Sequence, residues 1–405
     1  MREAGPRVSR FGRSVATCYA LPREIAGLGR HAPIFRVDEH GRPNRHGVLH
    51  FLAGGGCWLG RESGNGQPFR GLPPFMEDMR PQGYIGRRFS ALYPELKLPG
   101  RIIDWNDDHQ LIALANRGED CVGNLIIGEE SLDRFYARNP QSHVRADYLS
   151  LAKGALAGQP GSSAGGEHPK FAVHSGGRHV IVKFAGGDGS AADRWRDLLI
   201  CEHLALEMLR GLGVPAPRSE CFDLDGIRYL EVHRFDRIGE RGRRGVLSLW
   251  AINGHYLGDN PENWSKAGKR ILDEPSLSMS VVDADRMVWL DTFGDLIGNT
   301  DRHFGNLSFF VEEGRELALT LTLAPVYDML PMVFSPAGGN LVERPFAPRS
   351  PTALNLHLWH EAAKHALNYW SRLCEEERLS VGFRRIATAC RDTLSRLGAE
   401  RSQNV

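Results

Sequence analysis

The stretch GNTDRHFGNLS at residues 298–308 decides the fold that the sequence predicts for this 405-residue chain. It places the carboxylate of Asp301 five positions ahead of the carboxamide of Asn306, between apolar segments at 288–297 and 307–311. Phosphoryl transfer needs such a loop, because one oxygen ligand helps to hold magnesium while a nearby carboxylate orients the attacking hydroxyl. An Asp followed by an Asn also occurs in ordinary turns, so the pattern needs support from elsewhere in the chain.

Two further segments supply that support, in the order typical of a kinase. A glycine-dense loop at 158–166 precedes a predicted hairpin whose second strand, VIVKF at 180–184, carries Lys183. Glycines let a backbone approach phosphate oxygens, and a strand lysine can contact the phosphates of ATP, whereas the alternative for this loop is a flexible Gly/Ser linker. Asp328 follows a predicted strand at 317–323, where kinases place the second magnesium ligand; the alternative is a turn aspartate.

Composition narrows the class of protein. The net charge is +1 with 24% charged residues, so no overall field selects nucleic acid or an acidic surface. Seven cysteines form no CxxC pair, which indicates reduced thiols and neither a zinc site nor a disulfide framework. No apolar run approaches the roughly 20 residues needed to span a bilayer, and the first residues do not resemble a signal peptide. We therefore expect a cytoplasmic protein without a membrane partner.

The predicted elements divide the chain into four segments. Residues 1–30 are interpreted as a basic leader or the remnant of a winged module, with a short β-ribbon at 7–21 as the alternative. Residues 31–145 are predicted to be a β-leaning subdomain, and 146–236 a kinase small lobe of hairpins around one helix. Residues 237–405 are predicted to be mainly helical. The fold class expected from this order is α+β, with a bilobal protein-kinase-like architecture.

At this point the sequence resembles the HipA family of bacterial serine/threonine kinases, which are toxins of toxin–antitoxin pairs. The blocks at 297–310 and 323–331 carry the most specific part of the resemblance. The full set of matching stretches is SSAGGEHPKF (162–171), VIVKF (180–184), GLGVPAP (211–217), EVHRFDR (231–237), IGNTDRHFGNLSFF (297–310) and LAPVYDMLP (323–331). Residues 75–128 are similar to the N-terminal subdomain of the family.

The resemblance implies a role for each matching residue. Asp301 would be the catalytic base, and Asn306 and Asp328 would hold Mg²⁺. Lys183 would contact the phosphates of ATP. His303, beside the base, would stabilise the transferring phosphate or simply pack in its loop.

The resemblance also implies a nucleotide-binding loop and an adenine-binding hinge. His233 and Phe235 would lie at the hinge, and Gly165, Gly166 and Lys170 would lie in the nucleotide loop. Two adjacent serines of the loop occupy the place of the autophosphorylated serine of the family, and which one is modified stays open. The loop residues concerned are Ser162, Ser163, Ala164, Gly165 and Gly166.

The acidic partner of Lys183 also stays open at this stage. Glu202 and Asp197 both lie on the helix that is predicted to follow the lysine strand. The helical periodicity does not decide which of the two faces the lysine.

The function expected from the resemblance is a Mg-ATP-dependent serine/threonine protein kinase that restrains growth. Its implied partners are a protein substrate, such as an aminoacyl-tRNA synthetase or another translation factor, and an antitoxin repressor. Residues 1–30 are too few for a helix-turn-helix, so no direct nucleic-acid binding is expected. Two alternatives remain: a phosphotransferase acting on a lipid head group or small molecule, because phosphoinositide kinases share the DRHxxN pattern, and a non-catalytic scaffold that binds a repressor.

Overall fold

The computed structural model describes residues 8–11, 18–61, 66–81, 86, 88–138, 143–156, 168–258, 262–313 and 318–402. The chain divides into two compact units. Unit 1 comprises Met1–Ser142 and Asp236–Leu247, and unit 2 comprises His143–Phe235 and Ser248–Val405. No helix in the described part of the chain is long and apolar enough to cross a membrane.

Unit 1 is built on a five-stranded sheet with the strand order β6-β5-β4-β3-β7. Every pair in it is antiparallel. The helices α1 (Phe89–Leu92), α2 (Asp107–Arg117) and α3 (Glu129–Ala137) belong to the same unit. The strands of the unit are β1 (Ser9–Phe11), β2 (Cys18–Ala20), β3 (His31–Val37), β4 (Pro43–Phe51), β5 (Cys57–Arg61), β6 (Gly66–Phe69) and β7 (Leu125–Ile127).

The first two strands correct one interpretation of the sequence. Strands β1 and β2 pair antiparallel, and the ring of Phe11 lies 5.3 Å from that of His50 and 5.7 Å from that of Trp58. These described residues therefore form the β-ribbon, and their interpretation as a loosely held leader is wrong.

Alternation along β3 and β4 explains the core of unit 1. Ile34, Leu49 and Phe51 are fully buried, because successive side chains of a strand point to opposite faces of the sheet. Helix α2 covers this face with Leu111 and Leu114, which are three residues apart and lie on one side of the helix. The result is a sheet with one helix-covered apolar face.

The segment Asp236–Leu247 lies with unit 1, whereas the sequence placed residues from 237 onward in the helical lobe. It forms two short strands, β12 (Arg237–Ile238) and β13 (Gly242–Arg243). The buried guanidinium of Arg237 pairs with Asp236 at 2.6 Å and with Asp120 at 3.0 Å, and also donates to the carbonyl of Cys121. These charge-assisted bonds hold the segment in unit 1. Its sequence has no apolar pattern that would predict this position.

Unit 2 begins with the predicted small lobe. Helix α4 (Tyr148–Leu156) precedes an antiparallel sheet with the order β10-β11-β9-β8. Helix α5 (Ser190–Gly211) crosses from β9 to β10 and contacts three of the four strands. The strands are β8 (Lys170–Ser175), β9 (Arg178–Ala185), β10 (Ser219–Leu224) and β11 (Ile227–His233).

The rest of unit 2 is mainly helical, as predicted. Strand β14 (Val246–Ser248) leads into it, and two further strands, β16 (Ser308–Glu313) and β17 (Leu319–Leu323), form a hairpin, with β15 (Leu277–Met279) parallel to β17. Helix α8 (Val281–Leu296) runs directly into the loop with Asp301. The helices are α6 (Leu249–Ile252), α7 (Trp264–Asp273), α8 (Val281–Leu296), α9 (Leu356–Glu375) and α10 (Val381–Ser402).

Candidate active site

A buried lysine links the small lobe to the helical lobe of unit 2. The Nζ atom of Lys183, on β9, donates to both carboxylate oxygens of Glu202 at 2.6 Å and also to Oδ1 of Asp328. Glu202 lies on α5, which packs on the sheet, and its side chain is 1% exposed. Three residues that are distant in sequence thus meet at one ammonium group.

This geometry identifies the partner of Lys183 that the sequence left open. Asp197 instead accepts hydrogen bonds from the backbone N–H of Ser380 at 2.8 Å and from its hydroxyl at 2.7 Å. Ser380 is the residue before α10 and lies in the helical lobe. Of these two acids, Glu202 is therefore the one that holds the lysine. Asp197 instead connects α5 to the N-terminus of α10.

Asn299, a residue that the sequence interpretation missed, ties the two predicted catalytic acids together. Its Nδ2 donates to the backbone carbonyl of Asp328 at 3.1 Å, and its Oδ1 accepts from the backbone N–H of Asp301 at 3.0 Å. The side chain is buried, so these bonds do not compete with bulk water. The Asn two residues before an Asp is a turn pattern that the sequence does contain.

The loop that carries Asp301 is closed by its own asparagine. Asn306 Nδ2 donates to the backbone carbonyl of Asp301 at 2.8 Å, which fixes the amide and leaves its oxygen as an acceptor. The hydroxyl of Tyr327 donates to the carbonyl of Gly305 at 2.6 Å and lies 2.8 Å from Ser308 Oγ. Tyr327, which precedes Asp328, thereby supports the catalytic loop at Gly305, which precedes Asn306.

Arg302 anchors the same loop from behind. Its guanidinium forms ion pairs with Asp291 at 3.1 Å and with Asp295 at 3.2 Å, both on α8, and donates to the carbonyl of Asn299. A Cβ on Gly294 would lie 2.5 Å from Cδ of Arg302, so a larger residue there would require this side chain to shift. Arg302 holds the loop on α8 and leaves Asp301 facing outward.

The environment separates the pKa values of the two acids. Burial, the largest cause, raises the pKa of Asp301; the charge of His303 opposes this shift, and the charge of Asp328 adds to it. Burial alone would also raise the pKa of Asp328, but Lys183 and Lys170 outweigh burial and lower it to about 2. Burial likewise opposes the charge of Lys183, yet Asp328 and Glu202 raise its pKa above the ordinary value. One acid is therefore poised to take a proton, and the other stays ionised.

His303 lies beside Asp301 but also has a structural role. Its Nδ1 accepts from the backbone N–H of Gly305 at 3.0 Å, which caps the short helix Phe304–Asn306. Its Nε2 lies 3.9 Å from Oδ1 of Asp301. The two side chains are 56% and 50% exposed, so both are open to an incoming substrate.

Lys170 lies directly across from Lys183 in the β8–β9 pair, so both lysines point to the same face of the sheet. The charge of Lys170 acts on Asp301, Glu202 and Asp328, which places it at the same cluster. Lys170 is thus one of the predicted nucleotide-binding residues that lie at this cluster.

His168 is a second residue that the sequence interpretation missed. Its ring packs edge-on against Trp195 of α5 with 4.7 Å between ring centroids. Its Nε2 is buried without a hydrogen-bond partner among the described residues. Burial and the charge of Lys183 lower the pKa of His168 to about 3, so the ring is neutral beside the lysine cluster.

The two predicted hinge residues differ in position. The ring of Phe235 stacks on that of Tyr327 with 5.8 Å between centroids, next to Asp328. His233 pairs with Val180, three residues from Lys183 on β9, so its side chain points to the opposite face of the sheet. His233 is therefore not brought to the cluster. The predicted loop residues Ser162, Ser163, Ala164, Gly165 and Gly166 lie outside the described residues.

The donor set fits a magnesium nucleotide. Asp328 and Asn306 offer a carboxylate and an amide oxygen, and Mg²⁺ is held by one or two protein oxygens together with phosphates and water. Within the described ranges no group of three or more His, Cys, Asp or Glu side chains is arranged to hold a metal ion. Lys183 and Lys170 supply the positive charge that phosphate groups require.

Comparisons with known proteins show the family of this chain. Residues 28–136 match the family model of the YjjJ-like toxin middle domain, and residues 162–399 match that of the HipA-like C-terminal domain. The chain is 35% identical over 396 residues to "Toxin YjjJ" of Escherichia coli (strain K12), covering 94% of this chain and 87% of that protein.

Among solved structures, this chain is similar to one from a complex of Shewanella oneidensis MR-1 toxin–antitoxin proteins HipA and HipB with their operator DNA. The TM-score is 0.55 at 14% sequence identity, and the similarity covers 90% of this chain and 96% of that chain. A similarity at this level of identity concerns the fold, and it confirms the predicted α+β kinase-like class.

Proposed function

Because this chain belongs to the HipA family, and within it to the YjjJ-like toxins, we propose that it is a Mg-ATP-dependent serine/threonine protein kinase. The observation that carries the proposal is the convergence of Lys183, Glu202 and Asp328 at one ammonium group, beside a loop that presents Asp301 and Asn306. A kinase needs this set of groups, in which a lysine held by an acid meets a metal-binding carboxylate near a base.

Each side chain has a defined task in this proposal. Lys183, held by Glu202, orients the phosphates, and Asp328 and Asn306 would hold the magnesium ion. When bound, Mg-ATP supplies the phosphoryl group that is transferred. Asp301 accepts the proton of the acceptor hydroxyl at a carboxylate oxygen, which its raised pKa favours. His303, whose Nε2 lies 3.9 Å from Oδ1 of Asp301, would stabilise charge on the transferring group.

The proposed acceptor is a protein hydroxyl, and the HipA family suggests an aminoacyl-tRNA synthetase or another translation factor of the cytoplasm. The exposed position of Asp301 supports a large acceptor, because half of the side chain is open to solvent. Autophosphorylation at Ser162 or Ser163 is part of the proposal. A phosphate there would add about −1.5 to −2 charges and compete for the lysines that bind ATP. Phosphopeptide mapping after incubation with ATP tests this step, and two unmodified serines would exclude it.

The proposed partner is a repressor-type antitoxin. The Shewanella oneidensis HipA is described in a complex with HipB and operator DNA. We extend only the protein partner to this chain, and expect no direct nucleic-acid binding by the chain alone. Purification of the tagged chain from its own source, followed by identification of a stoichiometric DNA-binding protein, tests this partner.

Phosphoproteomics after brief expression tests the activity and finds the substrate at once. We expect a small set of serine or threonine sites to gain phosphate with the parent and not with Asp301→Asn. Asp273→Asn is a matched control, because Asp273 is an exposed aspartate at the end of α7. The proposal fails if Asp301→Asn gives the same new sites as the parent. Radiolabel recovered in lipid or small molecules instead of protein would favour the alternative acceptors.

A further inference from the structure

A polar cavity of about 330 Å³ lies at the end of the small-lobe sheet, where β11 ends and β10 begins. It includes His233, whose side chain points to the opposite face of the sheet from Lys183. The catalytic groups of the proposed kinase take no part in it. Its lining residues are Arg178, Arg210, Arg218, Ser219, Glu220 and His233.

The three arginines of the cavity lack acidic partners. Among the described residues, none of Arg178, Arg210 and Arg218 forms an ion pair, although several other arginines of unit 2 do. The one carboxylate of the cavity, Glu220, is held by Arg145 through two bonds of 2.9 and 2.6 Å. The cavity therefore carries three guanidinium groups and one carboxylate, which Arg145 already holds.

The surroundings of His233 show that these charges lie close together. Its Nε2 is 3.2 Å from a guanidinium nitrogen of Arg178. Burial is the largest cause that lowers the pKa of His233; Arg178, Arg218 and Arg210 each lower it further, and the charge of Glu231 opposes them. Three guanidinium groups thus act on one imidazole, and an anion bound between them would reduce their mutual repulsion.

Two properties of the cavity define the ligand. Guanidinium groups bind phosphate oxygens through paired, charge-assisted hydrogen bonds, and three of them match a group with several phosphate oxygens. A volume of about 330 Å³ lies at the lower end of the range for small-molecule sites.

We infer that the cavity formed by Arg178, Arg210, Arg218 and His233 is a second ligand site, which binds a small di- or polyphosphate anion. The site lies at one end of the sheet that carries Lys183. An anion here neutralises the arginines, and His233 can then donate a hydrogen bond to it. This inference does not depend on the proposed kinase activity.

Nuclear magnetic resonance of the full chain labelled in its histidines tests the inference. The probe is inorganic pyrophosphate in the presence of a chelator, and His233→Asn identifies the resonance of His233. We expect pyrophosphate to move this resonance in a saturable manner and to raise the pKa of His233, because the anion offsets the three arginines. Binding measured in this way should weaken by about tenfold or more in Arg178→Ala/Arg218→Ala, since each change removes charge-assisted hydrogen bonds.

Arg196→Ala is the matched control. Arg196 also lies on α5, but it is paired with Asp193 at 2.7 Å and is near the opposite end of the helix from Arg210. We expect this variant to bind pyrophosphate as the parent does. The inference is overturned if the His233 resonance does not respond, if sodium chloride at equal ionic strength reproduces the response, or if the double variant binds as tightly as the parent.

Discussion

The two candidate catalytic acids of unit 2 lie in different environments. Asp328 accepts a hydrogen bond from Lys183 of the small-lobe sheet, and its pKa is lowered to about 2. Asp301 stands on a loop with half of its side chain exposed and a raised pKa. The same residue type thus has a lowered pKa at one point and a raised pKa at the other, because their neighbours differ.

The backbone adds to this difference. Asp328 has a φ of 53°, in the left-handed region that Asp tolerates better than most residues. Asn299 fixes its carbonyl and the N–H of Asp301 at the same time. Asn299 therefore links the backbones of the two acids, although the side chain of Asp301 is half exposed and that of Asp328 is bonded to Lys183.

The largest effect is expected for Asp301→Asn. Removal of a general base should lower kcat by about 100- to 10,000-fold, while nucleotide binding stays close to that of the parent. Transfer of radiolabel from γ-labelled ATP measures the first quantity, and equilibrium binding of ATP measures the second. If kcat is retained, the raised pKa of Asp301 has no catalytic meaning.

A smaller effect is expected for Glu202→Gln, compared with Asp197→Asn on the same helix. Both changes remove a buried charge that is hydrogen-bonded, and each should cost about 1–3 kcal/mol of unfolding free energy. Only Glu202→Gln should also lower activity, by about tenfold or more, because only Glu202 orients Lys183. Chemical denaturation and the kinase assay give the two values. Equal losses of activity in both variants would mean that α5 acts only as a structural support.

Tyr327→Phe should have a modest effect, with Tyr369→Phe as its counterpart. Tyr327 donates to the carbonyl of Gly305 in the catalytic loop, whereas Tyr369 donates to the carbonyl of Cys201 on α5, away from that loop. Each variant should lose about 1 kcal/mol of stability. We expect a few-fold loss of kcat only in Tyr327→Phe, and an unchanged kcat there would show that the hydroxyl does not position the loop.

The smallest effect is a displacement of the pH profile in His303→Asn. Asp301 must be ionised to accept a proton, so activity falls as the pH drops through its pKa, which the fold raises. The charge of His303 lowers that pKa, and its removal should move the acidic limb of kcat to higher pH. A limb that moves to lower pH would contradict the assignment of Asp301 as the titrating group.

The sequence predicts most of the elements around this site because their patterns are local. The strand with Lys183, the helix that follows it and the loop with Asp301 and Asn306 all lie where alternation and helical spacing predict them. The family resemblance predicted which residues matter, and Lys170, Lys183, Asp301, Asn306 and Asp328 do lie together.

What the sequence does not predict depends on pairings between distant segments. The choice between Glu202 and Asp197 needs the rotation of α5 against the sheet, which helical spacing alone does not give. The register of β11 on β9 decides to which face of the sheet the side chain of His233 points. Helix α5 and strand β10 lie between these two strands in the chain, so no short turn fixes that register. The placement of Asp236–Leu247 depends on the buried ion pairs of Arg237, which have no periodic signature.

Magnesium-dependent nucleotide binding to Asp328→Asn tests the central claim, that these side chains form one site for a magnesium nucleotide. Asparagine tolerates the left-handed backbone at this position, so the variant should fold as the parent does. Calorimetric titration with a non-hydrolysable ATP analogue, with and without Mg²⁺, should show that Mg²⁺ strengthens binding to the parent and not to the variant. Equal strengthening by Mg²⁺ in both proteins would contradict the account.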